Sequence, residues 1–266
     1  MKRMSKALWL VIFCYGLLLI APTDGLLAKK AKNKSLTLPN SVLSIEKTNT
    51  YANTAEDIEI VEPNSFTKDL LEEVDVNIEN PEIIKILNES TIKTTPISFG
   101  YDANIYLGRW PLHYQSEDTK IIRDYMHINS NELSNSGGNG VQQLSYNQQT
   151  DKVVKGALTN KIDHQSMIKK MILQKLQEKV DFPLAYETRV GVNTKLNHLY
   201  NVEAEKTGLL EAYVPAMQEK GKIVYGDIYL ASKGSHAHLK IKNVTKQEIG
   251  AWIPIQNHLS LSYTLK

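Results

Sequence analysis

Alternation of apolar and polar residues with a period of two is the feature of this sequence that most restricts its fold. It begins after Thr94, where one set of alternate positions is apolar and the other is polar. The apolar positions are Ile97, Phe99, Tyr101, Ala103, Ile105 and Leu107, and the polar ones are Ser98, Asp102 and Asn104. Because successive strand side chains point to opposite faces, this pattern predicts a long, half-buried β-strand.

Strand-like segments also occupy most of the chain after Pro183. Their short linkers predict hairpins and antiparallel pairing. Two short helices are predicted near the N-terminus, one over residues 66–74 after a capping Ser65, and one over 81–89 after Asn80. We therefore expect an α+β fold with a largely antiparallel sheet.

One long amphipathic helix is predicted over residues 163–180. Its apolar stripe consists of Met167, Ile168, Met171, Ile172, Leu176 and Val180. Lysines lie on the opposite side, so the helix could rest on an anionic membrane, although packing against the sheet is the preferred interpretation.

The first 28 residues have the layout of a signal peptide. Three basic residues precede an apolar run over 7–21, which is shorter than the roughly 20 residues of a typical membrane span. Ala28 provides a cleavage site. Four lysines follow between positions 29 and 34, and positive charge normally stays on the cytoplasmic side of such a run. An uncleaved anchor is therefore the alternative.

The remainder of the chain divides into a polar tether over 29–65, which can add one strand, and a single α+β domain over 66–266. Cys14 is the only cysteine and lies inside the apolar run. The mature chain can therefore form no disulfide, thiolate nucleophile or cysteine metal site. A chain of this length can instead rely on one large core.

The charge balance argues against a nucleic-acid partner. The sequence has 31 Lys and Arg and 29 Asp and Glu, and three of the basic residues and one acidic residue lie in the predicted signal peptide. The mature protein is therefore neutral overall, whereas a generic nucleic-acid binder is basic.

An aromatic stretch over residues 104–116 is the first candidate binding region. The alternation breaks at Gly108, and Pro111 lacks an amide hydrogen, so the strand is expected to end or bulge near Arg109 and Trp110. Trp252 also follows a glycine and precedes a proline, which predicts that both indoles lie at one end of the sheet. We expect Trp110 to fill the core there. The candidate binding residues are Arg109, Trp110, Tyr114, Trp252 and His258.

A basic stripe is the second candidate region. His236, His238, Lys240 and Lys242 alternate with apolar residues and so share one face of a strand. The two lysines would repel a divalent cation, so no metal site is expected. The stripe could bind phosphate-bearing wall polymer or anionic lipid, more strongly when the histidines are protonated. The alternative is a solvated face whose lysines prevent aggregation.

A penicillin-recognising serine enzyme is the most tempting catalytic interpretation. Ser166 and Lys169 fit S-x-x-K, and Lys206 begins a K-T-G match. However, no S-x-N element lies between these motifs, and the interval is too short for the helical lobe that such enzymes place there. The matches are therefore interpreted as coincidence. No catalytic residue and no cofactor is predicted.

Three longer segments carry a family resemblance. They are "YLGRWPLHYQS", "YNVEAEKTGLLEAYVPAMQEKGKIVYGDIYL" and "KNVTKQEIGAWIPIQNH". Together they resemble the YfkD-like family, a set of exported proteins of bacilli and their relatives, from about Asn40 almost to the C-terminus. The resemblance implies an exported bacterial protein, and it brings no activity, ligand or catalytic residue with it.

These observations predict an exported cell-envelope protein that acts by binding or as a structural module. Its expected partner is an anionic wall polymer, the membrane surface or another envelope protein. A hydrolase acting on cell-wall material is the alternative from another functional class.

Overall fold

The computed structural model describes residues 36–45, 60–90, 102–233 and 236–266. The predicted signal peptide, much of the tether, and Ile97, Phe99 and Tyr101 of the first predicted strand lie outside the described residues. The strands are β1 (Val42–Ser44), β2 (Asp102–Ser134), β3 (Gln142–Asn147), β4 (Lys152–Lys155), β5 (Ala157–Leu158), β6 (Glu187–Val190), β7 (Lys195–Val202), β8 (Thr207–Lys233), β9 (His236–Pro254) and β10 (His258–Leu265). The helices are α1 (Ser65–Glu72), α2 (Pro81–Glu89) and α3 (Gln165–Gln177).

The main sheet is antiparallel and is organised around β8. One edge of β8 pairs with β2 along its whole length. Its other edge pairs first with β10 and then with β9. The short strands β1 and β5 extend the sheet from β10 and β9, respectively. Two smaller antiparallel pairs, β3 with β7 and β4 with β6, complete the β-structure. The predicted antiparallel α+β class is therefore confirmed.

The strand β2 contains β-bulges at the predicted place. Its register with β8 shifts between Tyr106 and Gly108 and again between Pro111 and His113. Gly108 adopts a φ of 113°, which a side chain would strain. The strand continues to Ser134 rather than ending. Ile105 remains 50 % exposed although its alternation predicts burial, because β2 has no further strand beside it there among the described residues.

Both faces of the main sheet are buried along part of its length. The adjacent β8 residues Ile223 and Val224 point to opposite sides and belong to separate apolar clusters. The cluster of Ile223 includes α3, and the cluster of Val224 includes α1 and α2. Helices therefore lie on both faces of the sheet, and they leave parts of it uncovered.

The two short N-terminal helices are confirmed. Asn80 caps α2 by accepting the backbone N–H of Glu82 at 3.0 Å, and Pro81 takes the first helical position. In α1 the cap is Asn64, which accepts the N–H of Thr67 at 2.8 Å, and Ser65 is already helical.

The predicted long amphipathic helix is wrong in length and in pattern. α3 has 13 residues, and it begins after His164, whose left-handed φ of 59° cannot continue a helix. It ends before Val180, which instead forms a bridge with Leu36. Leu173, outside the predicted stripe, is fully buried in the same cluster as Ile172. Burial of three consecutive residues, 171–173, gives α3 a wider buried face than the predicted stripe, while Lys170 remains exposed. No helix among the described residues is long and apolar enough to cross a membrane.

Candidate binding surface

Two rows of cross-strand neighbours form an uncovered part of the main sheet. In one row Arg109 of β2 lies opposite Asp227 of β8, which lies opposite Lys242 of β9. In the next row Tyr106, Tyr229 and Lys240 lie opposite one another in the same way. Directly opposite residues of paired strands point to the same face, so the six side chains share one surface. We call Tyr106, Arg109, Tyr229, Lys240 and Lys242 the cationic face, with Asp227 as its central carboxylate.

Arg109 is fixed by three hydrogen bonds at the centre of this surface. Its guanidinium donates to Asp227 at 3.2 Å, to the carbonyl of Asn243 at 3.0 Å and to the hydroxyl of Thr245 at 2.5 Å. Asn243 has a left-handed φ of 50°, next to the register shift between β8 and β9. In a regular ladder the Asn243 carbonyl would bond to the neighbouring strand. The bulge instead turns this carbonyl toward the Arg109 guanidinium.

Asp227 is an ionised structural carboxylate. The side-chain amide of Asn243 donates to it at 2.6 Å, and this bond, together with Arg109, lowers its pKa. A general acid requires the opposite shift, since it must hold a proton near neutral pH. The geometry therefore gives Asp227 the role of orienting Arg109.

The tyrosines provide an aromatic platform between the cations. The Tyr106 and Tyr229 rings lie with centroids 5.0 Å apart, and Tyr106 is 54 % exposed. The Lys242 ammonium lies 5.1 Å from the Tyr229 ring centroid, within the range of a cation–π contact. Such a surface offers aromatic contact area together with phenolic hydroxyls and positive charge.

The basic stripe predicted from sequence contributes its second half to this surface. Leu239 is buried, and the exposed Lys240 and Lys242 make no ion pair with any residue that the structure describes. His236 is engaged elsewhere, because its Nε2 lies 2.9 Å from the carboxylate of Glu73 at the end of α1. His238 lies opposite the small Ala231, beyond the two rows that form the cationic face.

The other predicted binding residues are not brought together. Trp110 lies against the apolar cluster near α2, donates to the carbonyl of Leu107 at 2.9 Å and stacks on His164. Trp252 stacks on Tyr125 instead. Trp110 is opposite Gly226 and Trp252 is opposite Gln218, so about 25 Å of β8 separates them at roughly 3.3 Å per residue.

Two further predicted contacts also lie apart from the cationic face. Tyr114 is only 2 % exposed, because it points into the core, where its hydroxyl donates to the buried Glu219 at 3.1 Å. It therefore cannot contact a ligand at the surface. His258 lies at the start of β10 opposite Ser44 and borders a separate groove that includes Phe182.

The serine-enzyme motifs are far apart in the structure. Ser166 follows Asp163, whose carbonyl accepts the Tyr225 hydroxyl at 3.4 Å. Lys206 precedes Thr207, the first residue of β8, so about 60 Å of strand separates Lys206 from Tyr225 at roughly 3.3 Å per residue. Lys169 makes a cation–π contact with Tyr186 at 5.0 Å. The three residues therefore do not form one site.

Sequence reasoning missed Tyr106, Tyr229 and Asn243. The available signal was the stretch "YGDIY" (225–229), in which Tyr225, Asp227 and Tyr229 alternate along one strand. What it could not show was the pairing of Asp227 with Arg109, 118 positions away. Among the described residues, no group of three or more His, Cys, Asp or Glu side chains could hold a metal ion.

Comparison with known proteins places the chain in a family. The family model described as YfkD-like protein matches residues 39–266. The chain belongs to the YfkD-like family. It is similar to uncharacterized protein YfkD of Bacillus subtilis (strain 168), with 41 % identity over 265 residues, covering 100 % of this chain and 98 % of that protein.

A solved structure of a lamprey immune protein is a more distant match. It covers 62 % of this YfkD-like chain at 8 % identity and a TM-score of 0.26, and the match spans 53 % of the lamprey protein. Similarity at this level carries no inference about the fold or function of this protein.

Proposed function

We propose that this YfkD-like protein is exported to the bacterial cell envelope, where it acts by binding a phosphate-bearing wall polymer on the cationic face. The observation that carries this proposal is the position of Lys240 and Lys242, which are exposed and make no ion pair among the described residues, beside the exposed Tyr106 and the half-buried Tyr229. The export step rests on the signal-like layout of the first 28 residues.

The charges of this face match an anionic chain better than a neutral one. Arg109, Lys240 and Lys242 carry three positive charges, and Asp227 offsets one of them, so the face keeps a net positive charge. Both lysines have flexible stems that can follow repeating phosphates, while the fixed Arg109 offers a planar donor group. The tyrosine pair, whose rings are tilted by 40° to each other, adds aromatic contact area for the carbon skeleton between phosphates.

A polymer fits this surface better than a membrane does. Insertion into a bilayer surface requires a continuous apolar face beside the cations. Here the cations flank two phenols and a hydrogen-bonded carboxylate, so the surface suits a hydrated ligand. A hydrolase reaction finds no support at this face, because both hydrogen-bonding partners of Asp227 stabilise its charged form.

The binding proposal is tested by reversing the two lysine charges. The double substitution Lys240→Glu with Lys242→Glu should weaken retention on immobilised poly(glycerol phosphate) by at least about tenfold, with the larger loss at low salt. Folding should survive because both side chains are exposed. The purified proteins are compared by binding isotherms at two salt concentrations and by thermal unfolding.

The matched control is Lys152→Glu with Lys195→Glu. These lysines are also exposed and make no ion pair among the described residues, and they lie on β4 and β7, outside the main sheet. The control changes the net charge by the same amount. Equal losses for the two variants would attribute retention to overall charge, and an unchanged isotherm for the first variant would overturn the cationic face.

A further inference from the structure

A small pocket adjoins the cationic face where α3 begins. It is lined by Arg109 of β2, Asp163 and His164 before α3, Tyr225 of β8, and Thr245 and Gln247 of β9. Its volume is about 260 Å³, and it opens to solvent. Pockets for drug-sized ligands usually exceed roughly 300 Å³, so this one has room for a small polar molecule or a small substituent of a larger one.

One wall of the pocket supplies unused donors. Arg109 has five N–H groups, and three of them donate to Asp227, Asn243 and Thr245. The remaining two donate to no residue that the structure describes, and the side chain is 41 % exposed. A phosphate or carboxylate can therefore approach the guanidinium without displacing the bonds that hold it.

Asp163 supplies a negative charge to the same pocket. The exposed Asp163 carboxylate makes no ion pair with any described residue, although Arg109 lines the same pocket. Burial of the Tyr225 phenol, together with the negative charge of Asp163, raises its pKa to about 12, while Arg109 acts in the opposite direction. Both charges therefore act on the same phenol from within the pocket, yet they remain apart from each other.

This separation of charges limits which groups the pocket can accept. A purely anionic group would gain the attraction of Arg109 and meet the repulsion of Asp163. A group that carries an ammonium beside its phosphate could pair its phosphate with Arg109 and its ammonium with Asp163. A repulsive element of this kind is how binding sites discriminate between otherwise similar ligands.

We propose that this pocket binds a zwitterionic group, a phosphate with a nearby ammonium, and so directs the protein to wall polymer that carries ammonium substituents. This inference rests on the proposed function, because the pocket shares Arg109 with the cationic face. Arg109 receives the phosphate, Asp163 receives the ammonium, and the Tyr225 ring forms the floor between them.

The test uses two small probes that differ only in the ammonium. O-phosphoethanolamine should bind the full-length protein roughly five- to tenfold more tightly than ethyl phosphate, measured by calorimetry or by NMR shifts of pocket residues. In Asp163→Asn this preference should disappear, while the affinity for ethyl phosphate stays equal or rises. Glu132→Gln, an exposed carboxylate on β2 outside the pocket, should keep the preference.

The possible outcomes test the zwitterion site and the binding of wall polymer separately. Equal affinity for the two probes, or an unchanged preference in Asp163→Asn, would overturn the zwitterion site even if the polymer binds. Tight binding of O-phosphoethanolamine without polymer retention would support the pocket and overturn the wall polymer as its source. Capture by vesicles with phosphoethanolamine headgroups, in the absence of polymer binding, would assign the group to a lipid. Binding of neither probe would overturn the inference.

Discussion

At the scale of single residues, Arg109 of β2 links its strand to the two neighbouring ones through hydrogen bonds to Asp227 of β8 and Thr245 of β9. The break of alternation at Gly108 correctly indicated a bulge beside it, and Arg109 was named among the binding candidates. Its partners could not be deduced, because hydrogen bonds to Asp227 and Thr245 join residues more than a hundred positions apart. Trp110, the next residue, points to the opposite face because strand side chains alternate. Tyr114 is on the same face as Arg109 but lies farther along the strand, where it is buried in the cluster that includes α3.

The substitution Asp227→Asn tests whether the ionised Asp227, which orients Arg109, stabilises the fold. The readout is the dependence of the free energy of unfolding on pH. The pKa of Asp227 is lowered in the folded protein, so its stabilising effect is fully present above the ordinary aspartate pKa of about 3.9 and is lost as the pH falls through the folded value. The substitution should therefore reduce the free energy of unfolding at pH 7. The difference from the wild type should shrink on acidification toward pH 3.

Denaturant unfolding at the two pH values measures this difference. Asp75→Asn is the control, since this exposed aspartate makes no ion pair among the described residues. A difference between the wild type and Asp227→Asn that is independent of pH would show that the charge of Asp227 does not stabilise the fold.

At the scale of elements, the strands were easier to predict than the long helix. A period of two is a local property, and each strand carries it in its own sequence. The end of α3 depends on contacts with distant segments, since Val180 forms its bridge with Leu36. The burial of Leu173 likewise depends on what packs around the helix, and no stripe on one helix can show that.

Leu173→Ala tests whether the buried face of α3 extends beyond the predicted stripe. Because Leu173 is fully buried, the substitution should cost about 2–5 kcal/mol, as for other large-to-small changes in a core. Lys170→Ala, on the exposed side of α3, should change stability by no more than about 0.5 kcal/mol. Chemical denaturation measures both. If the Leu173 variant were as stable as the Lys170 variant, Leu173 would not contribute to the core, and the apolar face of α3 would be limited to the predicted stripe.

At the scale of the whole molecule, β8 joins all parts of the main sheet. It brings β2, β9 and β10 together, and the helices cover only parts of the resulting surface. The cationic face lies in an uncovered part, so it is accessible to a large ligand. A polymer requires such an open surface, whereas a small substrate requires an enclosed one.

Export of the protein is a prediction about the whole chain. We expect the form outside the cytoplasm to lack residues up to about Ala28, because a signal-like apolar run precedes that position. Intact mass spectrometry of the extracellular and membrane fractions measures this. A full-length chain in the membrane fraction would indicate the retained anchor, and a full-length chain found solely in the cytoplasm would contradict export.

The sequence by itself determined the strand pattern, the cap of α2, the bulge at Gly108 and the family of this protein. Each of these depends on residues that are close together in the chain or on segments that can be compared directly. The tertiary structure alone decided which residues share a surface. Two bulges shift the register on either side of β8, and only that register places Arg109 beside Asp227 and Tyr106 beside Tyr229. A shift of one residue would turn those side chains to the opposite face, because strand side chains alternate.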